Sequence, residues 1–366
     1  MALSDAIKKE QSEANPEDVP FRIHADLQRR HAGSKAELAV SKTMLTEAEK
    51  ELTELRRIVG YMETARATPA APTWTYSPGR AHRTGFIACG ILSDLHLDEV
   101  VRAEEVEFLN AYNRKIAVMR LKRWAKVFIR KALSQEGKCT GIIICLGGDL
   151  FSGIIHDELR DTNEDGPFGT VLFYRDVLVS VLRAVANELN VPVYVPCVVG
   201  NHGRLDRKPR FKLAARHNMD WLFSHMVADA LKDDKRFTFN IPESSDCKFP
   251  AYDVNHVLSH GNQTNGGGGI GGIWPPIMRM RALKQGRKPF DVMVIGHWHQ
   301  LINAPEAGLV INGSLKGYDE YAIAHNFRPE RAGQAMWICV PKYGAVDKYN
   351  IWCDDPIAEG WERAAA

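Results

Sequence analysis

The feature that most constrains the fold is a set of five apolar runs that all close on the same kinds of residue. Phe86–Leu92 is followed by Ser93-Asp94-Leu95-His96, Gly141–Leu146 by Gly147-Gly148-Asp149, and Val191–Val199 by Gly200-Asn201-His202. Further on, Val254–Ser259 runs into His260-Gly261, and 291–295 runs into Gly296-His297-Trp298-His299. Short aliphatic and β-branched runs bounded by glycine read as buried strands. Between the first three lie helix-length stretches. One is Glu104–Ser134, with an apolar face of Val118, Leu121, Trp124, Ala125, Phe128, Ile129 and Ala132; the other is Thr170–Leu189. Strand–helix–strand alternation implies βαβ units and a sheet with a parallel core. After Asn240 helical stretches thin and short strands take over (Leu309–Ile311, Gly333–Val340, Val346–Trp352), which predicts a second sheet. The expected fold class is α/β, with two facing mixed β-sheets flanked by helices in a four-layer αββα sandwich.

Ahead of this region the pattern changes. Leu38, Leu45, Leu52 and Val59 recur every seven residues, and Leu55 and Met62 follow three after the last two. Ser41 and Ala48 occupy the matching earlier positions. This predicts a helical, coiled-coil-like extension over 1–65, with self-association through 24–65 as one reading. A single amphipathic helix lying on its own domain is the other. Residues 66–83 read as a linker rich in Ala, Pro and Thr, 84–355 as the main domain and 356–366 as a tail. The 45% hydrophobic and 25% charged content of the 366 residues is that of a globular chain. No apolar run approaches the ~20 residues that cross a bilayer, and the polar first 30 residues hold no signal-peptide core. The seven cysteines are odd in number and scattered, as expected for free thiols in a reducing compartment. A cytoplasmic location and no membrane partner are expected.

The run-closing residues are chemically coherent. In an open α/β sheet the C-terminal strand ends meet at one crevice. At an extended strand end, residues two apart point the same way, so Asp-x-His and His-x-His can each aim two groups at one point. A lone Asp-x-His or Gly-Asp pair is common by chance; five such endings in one chain are not. In this order the motifs resemble those of the calcineurin-like metallophosphoesterase superfamily, over roughly residues 84–315. The resemblance implies one metal held by Asp94, His96, Asp149 and His299, and a second held by Asp149, Asn201, His260 and His297, with Asp149 bridging. It also implies that His202 is the catalytic histidine assisting the substrate or leaving group. Imidazole and carboxylate donors suit two divalent metal ions, Mn²⁺ first, with Fe or Zn²⁺ as alternatives. Such a pair lowers the pKa of a shared water and clamps the phosphate oxygens. One departure concerns His202: many members of the superfamily have an acidic residue next, whereas Gly203-Arg204 follows here.

The substrate is read from charge. Arg204, Arg207, Lys208, Arg210, Lys212 and Arg216 follow His202 closely, and Arg279, Arg281, Lys284, Arg287 and Lys288 precede the His297 strand. With a net charge of only +2, clustering rather than total charge carries any preference for a polyanion. Nucleic acid is the leading partner, and the superfamily includes DNA-repair nucleases; Arg204, Arg207 and Trp274 are candidate substrate-binding residues. Small nucleotides or phosphoproteins are the alternative substrates. A non-catalytic scaffold recruiting a partner through the N-terminal helix is the alternative from another class. The glycine-rich stretch 265–272 reads as a phosphate cradle or a plain loop, and 156–170 as an acidic surface insertion. His156 reads as a surface histidine within reach of the Asp149 loop.

Overall fold

The computed structural model describes residues 19–64, 71–76, 85–264 and 272–361. Of the glycine-rich stretch only Gly272 falls within these residues. The chain divides into two compact units, 1–63 and 64–366. Within the first, helix α1 spans Val19–Thr64, and its side chains from residue 31 to 53 are exposed.

The second unit is built on two mixed sheets. One holds β1 (Phe86–Leu92), β2 (Cys139–Leu146), β3 (Val193–Pro196), β4 (Phe237–Asn240), β10 (Gly333–Val340) and β11 (Gly344–Trp352), in the order β11-β10-β1-β2-β3-β4. β1 to β4 are parallel, while β10 pairs antiparallel with both β1 and β11. The other holds β5 (Asp246–Ala251), β6 (Val254–Ser259), β7 (Val292–Ile295), β8 (Ile302–Ala304) and β9 (Leu309–Ile311), in the order β5-β6-β7-β9-β8. Here β6, β7 and β9 are parallel and the two edge strands antiparallel.

Strand alternation divides the side chains between two interfaces. Ile87, Cys89, Ile91, Cys145 and Trp337 from the first sheet meet Phe249, Leu258, Val294 and Val310 from the second in one buried core. Fully burying each large side chain is worth about 1.5–3 kcal/mol. On the outer face Gly90 admits helix α2 (Arg114–Leu133) so closely that a methyl there would lie 2.8 Å from the Phe128 ring. The long helix α4 (Pro167–Leu189) packs beside α2. The second sheet is covered by α6 (Trp274–Arg287), which lays Ile277 and Met280 on Met293, Ile295 and Leu309. The layers are therefore helix, sheet, sheet, helix, as expected.

Several boundaries differ from the sequence reading. The helix expected from Glu104 begins at Arg114: Asn113 caps it by accepting from the Ile116 amide, and Val101 bridges Tyr112 just before. The strand expected over 191–199 is ordered as a ladder only at 193–196, since Pro192 and Pro196 offer no amide. Short elements with weak patterns were not foreseen: β4, β5, β8, helix α3 (Asp157–Thr162), helix α5 (Met219–Ala230) and α6. Inside the expected linker, Trp74 and Thr75 are packed against the domain. Trp74 lies over Gly141, and the Thr75 carbonyl accepts from the Tyr252 amide. The expected domain end at 355 is also short, because Glu359 forms a buried ion pair with Arg120 at 2.7 Å. That places helix α8 (Pro356–Glu359) within the folded domain, beyond the earlier short helix α7 (Glu320–Ala324). All seven cysteines are free, six of them buried. Among the described residues no helix is long and apolar enough to cross a membrane.

Candidate metal centre

The parallel directions of β1–β3 and of β6–β7 bring five strand ends together between the sheets. The loops are stitched to one another: Asp94 N–H donates to Gly148 O at 3.0 Å, and Leu95 N–H to Asp149 O at 2.9 Å. Glycine is required where backbone must lie against a ligand. A methyl on Gly200 would stand 2.1 Å from Asp149 Oδ1, and one on Gly296 would stand 2.2 Å from Asp94 Oδ2. Five of the seven expected ligands occupy the left-handed region: Asp94 (φ 52°), His96 (46°), Asp149 (48°), His297 (71°) and His299 (54°). Each such residue costs roughly 1–3 kcal/mol and persists only where its surroundings enforce it.

Seven of the eight residues expected at the site converge, in three overlapping groups. Asp94, His96 and His299 form one, Asp149, His260 and His297 another, and His96, Asp149 and His202 a third; in each, the ligand atoms lie within 4.8 Å of one another. His96 Nε2 lies 3.1 Å from His299 Nε2, and His299 Nε2 lies 3.4 Å from Asp94 Oδ1. His260 Nε2 lies 2.9 Å from Asp149 Oδ2. Asn201 Oδ1 is buried and has no hydrogen-bond partner. Two imidazole nitrogens pointing at each other and flanked by carboxylates make a donor set that fits a hard or borderline cation, and an orphaned amide oxygen is a further potential donor. His260 Nδ1 lies 2.9 Å from Gly147 O, which leaves Nε2 as the atom directed inward.

The electrostatics agree. Burial alone would raise the Asp149 carboxyl, but the His260 and His202 rings hold it well below the ordinary range. Asp94 is likewise lowered, with His299 and His260 outweighing burial. Burial pushes His297 down to about 4, keeping a neutral imidazole ready to ligate. His260 goes the other way: against its burial, the adjacent Asp149 raises it to about 10.

Behind the ligands stands a layer of polar residues, most of which sequence reasoning missed. Glu99 Oε2 lies 3.3 Å from His96 Nδ1, and Lys316 Nζ reaches Glu99 Oε1 at 2.7 Å and also contacts Asp319. Ser93 Oγ donates to Asp94 and accepts from Asn312 Nδ2, while Gln334 Oε1 accepts from the Ser93 amide. Asp220, from α5, accepts from the amides of Asp149, Leu150 and Gly200; burial and the charge of Asp149 raise it to about 7. The Asp98-Glu99 doublet just past His96 and the Asn312-Gly313-Ser314 segment after β9 were the available sequence signals for this layer.

On the open side, His202 N–H donates to Asp149 Oδ1 at 2.6 Å, and its Nδ1 lies 3.0 Å from Ser152 O. The exposed His156 ring stands 5.7 Å from the His202 ring. Arg204 is spent locally: its guanidinium donates to the carbonyls of Asn201, Asp206 and Arg207. Arg207 pairs with Asp157, Arg210 with Asp206 and Arg216 with Glu243. Trp274 opens α6 and is 38% exposed. Among the described residues, no contact joins Arg207 or Trp274 to the ligands.

No protein-family profile matches the chain, and no curated protein matches it. Solved structures similar to it include a single mutant of Vps29 from Entamoeba histolytica (12% identity, TM-score 0.29, covering 72% of this chain and 97% of that one). Vacuolar protein sorting 29 from Cryptosporidium parvum matches at 12% identity and TM-score 0.31, covering 72% and 96%. A conserved uncharacterized protein (predicted phosphoesterase) from Streptococcus pneumoniae matches at 10% identity and TM-score 0.30, covering 72% and 97%. At this level of likeness the side chains alone carry the functional reading.

Proposed function

We propose that this chain is a phosphoester hydrolase working at a centre of two divalent metal ions, Mn²⁺ first among them, and that its substrate is a phosphodiester in nucleic acid. The observation that supports the hydrolase reading is the convergence of seven Asp and His side chains at five strand ends, five of them held at strained positive φ. Asp94, His96, Asp149 and His299 would hold one ion, and Asp149, Asn201, His260 and His297 the other. When bound, the ions supply Lewis acidity toward the phosphoryl group and its attacking water.

The chain's own residues do the rest. Asp149 offers one oxygen beside His260 and the other to the His202 amide, fixing both relative to each other. His202 places Nδ1 against a carbonyl that can only accept, so its proton sits on Nδ1 and Nε2 is left toward the substrate side. Burial lowers His202 to about 4 and keeps it neutral; an arriving phosphate anion favours its protonated form and hence donation to the leaving oxygen. The buried ligands with Glu99 behind them exclude bulk water from the inner side of the centre.

Support for nucleic acid comes from the loop after His202. Phe211 is 96% exposed between Arg210 and Lys212, which pairs a stacking surface with cations, as single-strand binding requires. A second reading, a small nucleotide or phosphoprotein substrate, is favoured by the local ion pairs that neutralise Arg207, Arg210 and Arg216. The test is a panel on Mn²⁺-reconstituted protein and its Asp149→Asn variant: labelled single- and double-stranded DNA and RNA, then bis- and mono-nitrophenyl phosphate. Cleavage of a nucleic acid that Asp149→Asn loses is the expected result. Hydrolysis of the small esters alone would move the assignment to the second reading. Metal binding without any turnover would leave a scaffold.

A further inference from the structure

Helix α1 carries a seam that the chemistry at the metal centre does not use. Leu38, Leu45, Leu52 and Leu55 are 68%, 60%, 47% and 41% exposed. Placing Leu38 at heptad position a puts Leu45, Leu52 and Val59 at the later a positions, with Ser41, Ala48, Leu55 and Met62 at d. The flanking e positions are Lys42, Glu49, Arg56 and Glu63, and the g positions are Glu37, Met44, Glu51 and Ile58. Lys42, Glu49 and Arg56 are exposed beside the seam.

We propose that α1 pairs antiparallel with the same helix of a second copy of this chain. Packing and the charges at the e positions select that occupant. In an antiparallel pair each a residue faces a d residue of the other helix, flanked by e–e and g–g contacts. Setting Leu45 against the partner's Leu55 places Ala48 opposite the partner's Leu52 and Ser41 opposite the partner's Val59. Each small residue then meets a large one, and the seam fills evenly. A parallel pair in register would stack serine on serine and alanine on alanine, leaving two thin layers. The same antiparallel alignment sets Lys42 against the partner's Glu63 and Glu49 against the partner's Arg56, each contact made twice by symmetry. At the g positions it brings the two copies' Glu51 together near the two-fold axis. A helix evolved to lie on its own domain has no need of such self-complementarity.

Sedimentation equilibrium of the full chain tests the pairing. The expected mass is twice 41.0 kDa, falling to 41.0 kDa in Leu45→Glu/Leu52→Glu while thermal unfolding of the metal-binding domain is unchanged. A monomeric native chain overturns the proposal, as does a dimer that survives the double substitution. Direction is read by oxidative cross-linking against the native chain as control. Antiparallel pairing holds the thiols that Leu45→Cys introduces in the two copies about 15 Å apart along the axis (ten residues at about 1.5 Å), beyond disulfide reach. Leu45→Cys/Leu55→Cys is therefore expected to link and Leu45→Cys alone is not. A linked dimer from the single variant overturns the antiparallel arrangement.

Discussion

Glu99 illustrates how one residue outside the ligand set conditions the centre. Its carboxylate lies against His96 Nδ1 and is anchored by Lys316, so it fixes which imidazole nitrogen of His96 faces the metal position. Glu99→Gln keeps the shape and removes the charge. Metal affinity measured by titration calorimetry should fall about 10–100-fold with the fold intact. Lys316 answers to two buried carboxylates, Glu99 and Asp319. Lys316→Met leaves both without their lysine cation and should cost about 3–5 kcal/mol in urea unfolding. The pH dependence has a definite sign. Lys316 holds both carboxyls below their ordinary values despite burial, so their contribution is present above the unfolded pKa values of about 4 and is lost as pH falls below them. The acid limb of the stability curve should therefore be shallower in Lys316→Met than in the native chain. None of this was legible in the sequence beyond the Asp98-Glu99 doublet, because Lys316 lies 217 residues from Glu99 and its partner is set by topology alone.

At the scale of elements, the glycine turns do the positioning. Gly200 closes the turn after β3 so tightly that any Cβ collides with Asp149 Oδ1. Gly200→Ala should destabilise the fold by about 1–3 kcal/mol and lower metal occupancy, read by elemental analysis of the purified variant. The strand ends themselves were readable because each apolar run and its closing ligand are local: β1, β6, β9 and β10 have the boundaries their patterns predict. The start of α2 was not, since the charges of 104–107 look helical, whereas the Asn113 cap and the Val101–Tyr112 bridge decide the outcome. α5 and its Asp220 were missed for a related reason: that side chain accepts from three loop amides, a role its neighbours in sequence do not signal.

The whole molecule combines a four-layer domain with a separate long helix, and its two proposed properties are independent of each other. Self-pairing through α1 concerns exposed leucines, whereas phosphoester hydrolysis concerns buried ligands at the sheet ends. The two-sheet architecture and the seven-residue convergence followed from strand endings in the sequence; the charge pairing that ties Arg207 to Asp157 at the start of α3 did not, because it needs the two segments' positions in space. The central claim, hydrolysis at a metal centre that Asp149 would help to hold, is tested most directly by bis-nitrophenyl phosphate turnover in Mn²⁺ by native protein and Asp149→Asn. The expected result is turnover by the native chain that is abolished by chelation. In Asp149→Asn it should fall more than about 100-fold, beyond the range for losing a partner behind a ligand. An unchanged rate in Asp149→Asn, or no turnover of any phosphoester by metal-loaded native protein, would contradict it.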